Sequence, residues 1–178
     1  MKKRIGMLFL VSMILFTFAL PAQAIEQNAE TLVLNTDVCL RLSPEQQFVE
    51  KTIQIDSGHY LIVTLKEERS DEVMRSTIRR TLTSEYVVKN VTGRVIGTLT
   101  VKGIFDTNGS TSAPYNVYGY GSVVGYDVQN TENSMGNPGS SSWVSSTLVC
   151  VPQDYLADFA RTCTITCDAN GISNASWN

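Results

Sequence analysis

Between Arg94 and Asp106 the sequence alternates apolar and polar residues with a period of two, and no other stretch restricts the fold so tightly. Val95, Gly97, Leu99, Val101, Gly103 and Phe105 fall on one side. Arg94, Ile96, Thr98, Thr100, Lys102, Ile104 and Asp106 fall on the other. Successive side chains of a strand point to opposite faces, so this is a half-buried strand. Leu99, Val101 and Phe105 are expected inside, and Thr98, Thr100 and Lys102 more exposed. Val91-Thr92-Gly93-Arg94 supplies a turn before it, and Tyr86 to Val91 an antiparallel partner. A hairpin with one apolar face needs a second layer to cover it.

The first 24 residues belong to another class. Lys2, Lys3 and Arg4 head an apolar run from Ile5 to Leu20, and Ala22-Gln23-Ala24 offers small residues at a cleavage position. That is the layout of a secretory signal peptide, and the run is short for a spanning helix. The expectation is an exported, secreted protein beginning near Ile25. Without the three basic residues of the signal, 11 Lys+Arg stand against 17 Asp+Glu, a net charge of −6. An acidic chain has little general affinity for nucleic acid or anionic membrane. Neither is expected as a partner after signal cleavage, which leaves a glycan or a cell-envelope component.

Residues 25–57 read as an N-terminal segment with short strands, and 58–178 as the main domain. Val38 to Leu42 is a short apolar run after the turn-forming Asn35-Thr36-Asp37. Ser43-Pro44-Glu45-Gln46 reads either as a capped helical turn or as a plain loop. Val49 to Ile55 alternates as a strand, and His59 to Leu65 is a stronger one, apolar on both faces and therefore central. Lys66 to Arg80 is the most charged part of the chain and reads as a solvated connector. Asp106 to Ser110 contains Asn108-Gly109, a tight-turn signal that lacks the further oxygens of a calcium loop. Thr131 to Ser142 has almost no apolar content and reads as a long surface loop. Trp143 to Val151 is a strand. After it, Tyr155, Leu156 and Phe159 are expected to tuck against the sheet. Arg161 to Asp168 closes the domain as a second alternating strand, with Cys163, Ile165 and Cys167 on one face and three threonines on the other. The whole is expected to be all-β, a single antiparallel β-sandwich of Ig-like architecture.

All four cysteines lie in the exported portion, where disulfides persist. On one strand the Cα atoms of Cys163 and Cys167 stand about 13 Å apart, beyond the roughly 7 Å a disulfide spans, so these two do not bond each other. Each is left to pair with Cys39 or Cys150. Cys150–Cys163 with Cys39–Cys167 is favoured, and the swapped pairing is the alternative. The one histidine, His59, is far from any cysteine in sequence, so no metal site and no cofactor are expected.

Gly58 to Glu68 (GHYLIVTLKEE), Val101 to Ser110 (VKGIFDTNGS) and Thr164 to Ser173 (TITCDANGIS) resemble motifs of a group of small uncharacterised exported all-β proteins of Gram-positive anaerobic bacteria. Those proteins combine a G-x-F-x-x-N-G hairpin with a T-C-x-x-x-G closing strand. The resemblance spans Gly58 to Ser173. It implies a sandwich-like all-β domain and brings no activity or catalytic residue. Many members carry a cysteine just after the Asn-Gly turn, where this chain has Ser112-Ala113-Pro114, and that departure makes Cys39 the candidate partner of Cys167.

Catalysis needs clustered functional groups. The chain shows no nucleophile elbow, phosphate loop or ligand cluster, and nothing singles out a carboxylate pair such as Asp106 with Asp127. The expectation is a non-catalytic protein, with no catalytic residues, acting by surface contact at or outside the cell envelope. The alternative is a carbohydrate-binding module. Its candidate binding residues are Tyr115, Tyr118 and Tyr120, from the Tyr/Gly-rich stretch Ala113 to Val128, together with Trp143.

Overall fold

The computed structural model describes residues 36–69, 77–154 and 156–178. The expected signal peptide at 1–24, residues 25–35, residues 70–76 and Tyr155 lie outside the described residues.

Among the described residues ten strands follow one another: β1 (Val38–Leu42), β2 (Phe48–Gln54), β3 (His59–Arg69), β4 (Ile78–Asn90), β5 (Val95–Thr107), β6 (Ser112–Val123), β7 (Tyr126–Met135), β8 (Ser141–Pro152), β9 (Phe159–Asp168) and β10 (Ser173–Trp177). No helix occurs among the described residues. Every paired neighbour is antiparallel, in the order β1-β10-β9-β8-β7-β6-β5-β4-β3-β2. From β2 to β10 this is a plain meander, and β1 returns to pair with the last strand. β1 then lies against β2 and β3 without a ladder between them. The sheet is thus curled into a nearly closed barrel.

That corrects the expected sandwich. The all-β, antiparallel content is as expected, but one continuous sheet covers its own apolar face, and the Ig-like crossing of strands between two sheets is replaced by hairpins. The link is thinnest between β6 and β7, which share one residue pair, Val123 with Tyr126. Beyond that point β6 turns its inner face onto β8. A Cβ built on Gly119 falls 2.1 Å from Ser146 Oγ and 3.0 Å from Leu148 Cδ2, so only glycine permits this approach. Gly119→Ala should destabilise by about 1–3 kcal/mol through overpacking, read as a lower urea midpoint at unchanged slope.

The inner faces of β5 and β9 follow the sequence pattern, and β3, apolar on both faces in the sequence, turns one of them inward. Leu61, Val63 and Leu65 of β3, Leu99, Val101 and Phe105 of β5, and Cys163, Ile165 and Cys167 of β9 are buried together. Thr98 and Lys102 are half-buried on the outer face of β5, as their register predicts. Thr100 is the exception at 2% exposure. It points outward but sits between its cross-strand partners Glu85 and Tyr120, both longer side chains.

Three segments differ from the reading of the sequence. Lys66 to Arg69 completes β3 and Ile78 to Arg80 opens β4, so both ends of the charged stretch are strand. Glu67 and Arg80 are buried inside the barrel. Thr131 to Met135 is strand despite its polarity, because its ladder to β8 supplies the backbone bonds while its side chains stay in water. Val38–Leu42 and Phe48–Gln54 are members of the same sheet as the rest. Ser43 to Gln46 forms a turn, with Gln46 N donating to Ser43 O at 3.0 Å. The Asn108-Gly109 turn is as expected: Asn108 Oδ1 accepts from the backbone N–H of Ser110 and Thr111 at 3.0 and 2.7 Å. Leu156 and Phe159 do tuck in, Phe159 edge-on to Tyr126 with ring centres 5.2 Å apart.

Candidate functional site

The barrel interior is occupied by its own side chains, among them Trp177, Tyr86 and Phe105, all with essentially no exposure. Chemistry directed at a partner therefore falls on the outside. The outer face of β2 to β6 carries the most distinctive surface. Strand register sets out two rows across it. One runs Phe48, Lys66, Thr83, Lys102, Tyr118, and the next Thr64, Glu85, Thr100, Tyr120. A concavity of about 360 Å³ lies over these rows, with Phe48 and Tyr120 among its walls.

Tyr118 and Tyr120 are 47% and 57% exposed and project from one face of one strand. Two residues along a strand place them about 7 Å apart. Asn116 Nδ2 donates to the Tyr118 hydroxyl, which orients that ring. Tyr115 occupies a bulge, because Ile104 pairs with Asn116 and Phe105 with Pro114, leaving it opposite no residue. The Arg79 guanidinium lies 4.1 Å from the centre of the Tyr115 ring. Arg79 also grips Asp106 with two hydrogen bonds of 2.9 and 3.1 Å. Tyr115 is thus tied to the sheet by a cation–π contact and stands apart from the other two.

Trp143 is not brought to them. It is 40% exposed on the outer face of β8, beside Thr166 of β9. Since β6 and β8 meet through their inner faces, Trp143 and the tyrosines look out on opposite sides of the molecule. The four aromatics of the sequence reading do not form one platform. Phe48, Lys66, Glu68, Glu85 and Lys102 were missed, because only the register of five strands shows that they are neighbours.

Charge over the concavity is balanced and cross-braced. Lys66 Nζ donates to Glu68 Oε1 at 2.8 Å. This contact holds Glu68 below the ordinary carboxylate range, with Lys102 adding to the effect, and raises Lys66, with help from Glu85. Two ammonium groups thus face two carboxylates. Elsewhere, His59 Nδ1 lies 3.0 Å from both oxygens of Asp56. Asp56 is held low chiefly by the Gly58 N–H and then by His59. Asp106 and Asp127 do not form a pair, since Asp127 accepts from Gln153 Nε2 at 2.9 Å while Arg79 holds Asp106. No metal-binding cluster occurs among the described residues.

The cysteine pairings are overturned. All four cysteines are free, Cys39 exposed and Cys150, Cys163 and Cys167 buried. Cys39 points out from β1 whereas Cys163 and Cys167 point in, so neither Cys39–Cys167 nor Cys39–Cys163 is within reach. Cys150 pairs with Phe159 in the ladder. Cys163 lies four residues further on, about 13 Å along the strand, and Cys167 lies further still. The sequence made β8 and β9 neighbours but left their register open. The excluded Cys163–Cys167 bond stays excluded, with both residues on the inner face of β9. Burial raises all three inner thiols, Cys150 to about 11. A thiol-specific disulfide reagent at pH 8 should therefore titrate one thiol rapidly in the native protein and four in denaturant. None in either state, or two in both, contradicts this arrangement. No family model, curated protein or solved structure matches this chain.

Proposed function

We propose that this protein is an exported, non-catalytic β-protein that acts by surface contact at or outside the cell envelope, through the outer face of β2 to β6. The observation that carries this reading is the pair Tyr118 and Tyr120, half-exposed and in register on a rigid strand. Ordered aromatic rings give a large contact area at little cost in side-chain entropy. The packed interior supports an external site. The acidic charge of the mature chain favours an envelope or glycan partner over nucleic acid or bare membrane. Kinship with the small exported proteins of Gram-positive anaerobes belongs to the same proposal. Within it, a carbohydrate-binding role rests on Tyr118 and Tyr120, with Tyr115 at the margin and Trp143 on another face.

Co-sedimentation with purified cell-wall material from the native host tests this. The mature protein should pellet with the wall. The Tyr118→Ala/Tyr120→Ala double variant should do so roughly tenfold less well, as truncating two central aromatic anchors implies. Equal sedimentation of both proteins, or none by either, overturns the reading.

A further inference from the structure

We infer that the concavity over β2 to β6 is a binding site for a neutral, hydroxyl-rich ring compound, a glycan segment, held across the strands between Phe48 and Tyr120. This rests on the contact reading above and adds to it a defined cleft, a charge preference and a set of residues. Phe48 is 52% exposed although it opens an edge strand next to water. A large apolar ring in that position is an unusual feature on an otherwise charged edge, where Glu50 and Lys51 follow it. Four strand spacings separate β2 from β6, or about 19 Å, so the two aromatics bracket a run of polar groups instead of touching. The volume of about 360 Å³ falls within the range of small-ligand clefts.

The chemistry between the aromatics decides the class of ligand. Lys66 and Lys102 supply donors, Glu68 and Glu85 supply acceptors, and Thr64 and Thr83 supply both. A sugar ring presents hydroxyls that donate and accept, together with an apolar face that stacks on an aromatic. It is served by every group here. An anionic ligand meets two carboxylates, and a cationic one meets two ammoniums. The balance of charge therefore selects against both. The Lys66–Glu68 contact already sets one donor beside one acceptor of the array.

Calorimetric titration of the mature protein with neutral gluco-, manno-, galacto- and N-acetylglucosamine oligosaccharides, at low and high salt, tests the inference. Binding by at least one of these probes should change less than about threefold between the two salt conditions, because no net charge is neutralised. Phe48→Ala and Glu85→Gln, each with an unchanged melting temperature, should weaken it roughly tenfold. Trp143→Ala, on the opposite side, should leave it unchanged. The inference is overturned if none of the oligosaccharides binds while wall co-sedimentation persists, an outcome that leaves the contact reading intact. It is equally overturned by binding that collapses with salt, or by binding lost in Trp143→Ala and kept in Phe48→Ala.

Discussion

Replacing Glu67 with alanine should remove about 3–5 kcal/mol of stability, a large share of the 5–15 kcal/mol typical of a domain. The Glu67 side chain has no exposure, and that of Arg80 only 8%. Arg80 NH1 donates to Glu67 Oε1 at 2.8 Å and Arg80 Nε to Thr107 Oγ1 at 3.1 Å. Arg69, at the end of the same strand as Glu67, adds Nε to Oε1 at 3.0 Å. Removing the carboxylate leaves the Arg80 guanidinium buried beside Thr107 without its counter-charge. Overhead, a Cβ on Gly171 falls 2.4 Å from that guanidinium, so Arg80 has little room to swing out. The companion Glu67→Leu/Arg80→Met should recover most of the loss, because two apolar side chains need no desolvation. Urea unfolding of the three proteins checks both statements. A single variant as stable as wild type places the charges in water and sinks the assignment.

Trp177→Ala should be the costliest change on the apolar side, about 3–5 kcal/mol. Trp177 is fully buried. Its Nε1 donates to Ser84 Oγ at 2.9 Å, and Ser84 in turn donates to Thr64 O at 2.9 Å. Its ring lies 5.5 Å from that of Tyr86. The contact joins β10 to β4 across the barrel, so the C-terminal strand closes the fold from inside. Trp177→Phe keeps much of the apolar contact and loses the hydrogen bond, so it should fall between wild type and alanine. Thermal unfolding that fails to separate the two variants from wild type would show that β10 is not docked.

What was legible in the sequence is what alternation controls. Leu99, Val101 and Phe105 inside, with Lys102 outside, follow from a period of two. So does the inner face of β9, whereas β3 read as apolar on both faces and its inner side was left open. Closure was not legible, because it depends on β1 pairing with β10 and on Trp177 reaching Ser84, contacts between residues far apart in sequence. Glu67 and Arg80 read as solvated for a similar reason. Each is an ordinary surface residue taken alone, and only the pairing of β3 with β4 sets them side by side indoors. The Tyr/Gly-rich stretch pointed to Tyr118 and Tyr120. It carried no information about Phe48 or Glu85, which join them only through successive ladders, four for Phe48 and two for Glu85. Trp143 was grouped with them because sequence proximity does not distinguish the two sides of a barrel.

Hydroxyl-radical footprinting of the protein, alone and mixed with cell-wall material, tests the proposed contact face most directly, because its reporters lie on opposite sides of the molecule. Oxidation of Phe48, Tyr118 and Tyr120 should fall several-fold on binding, while Trp143, 40% exposed beside Thr166, should be labelled as in the free protein. Protection of Trp143 with undiminished labelling of the two tyrosines, or no protection at any of the four, would contradict the account.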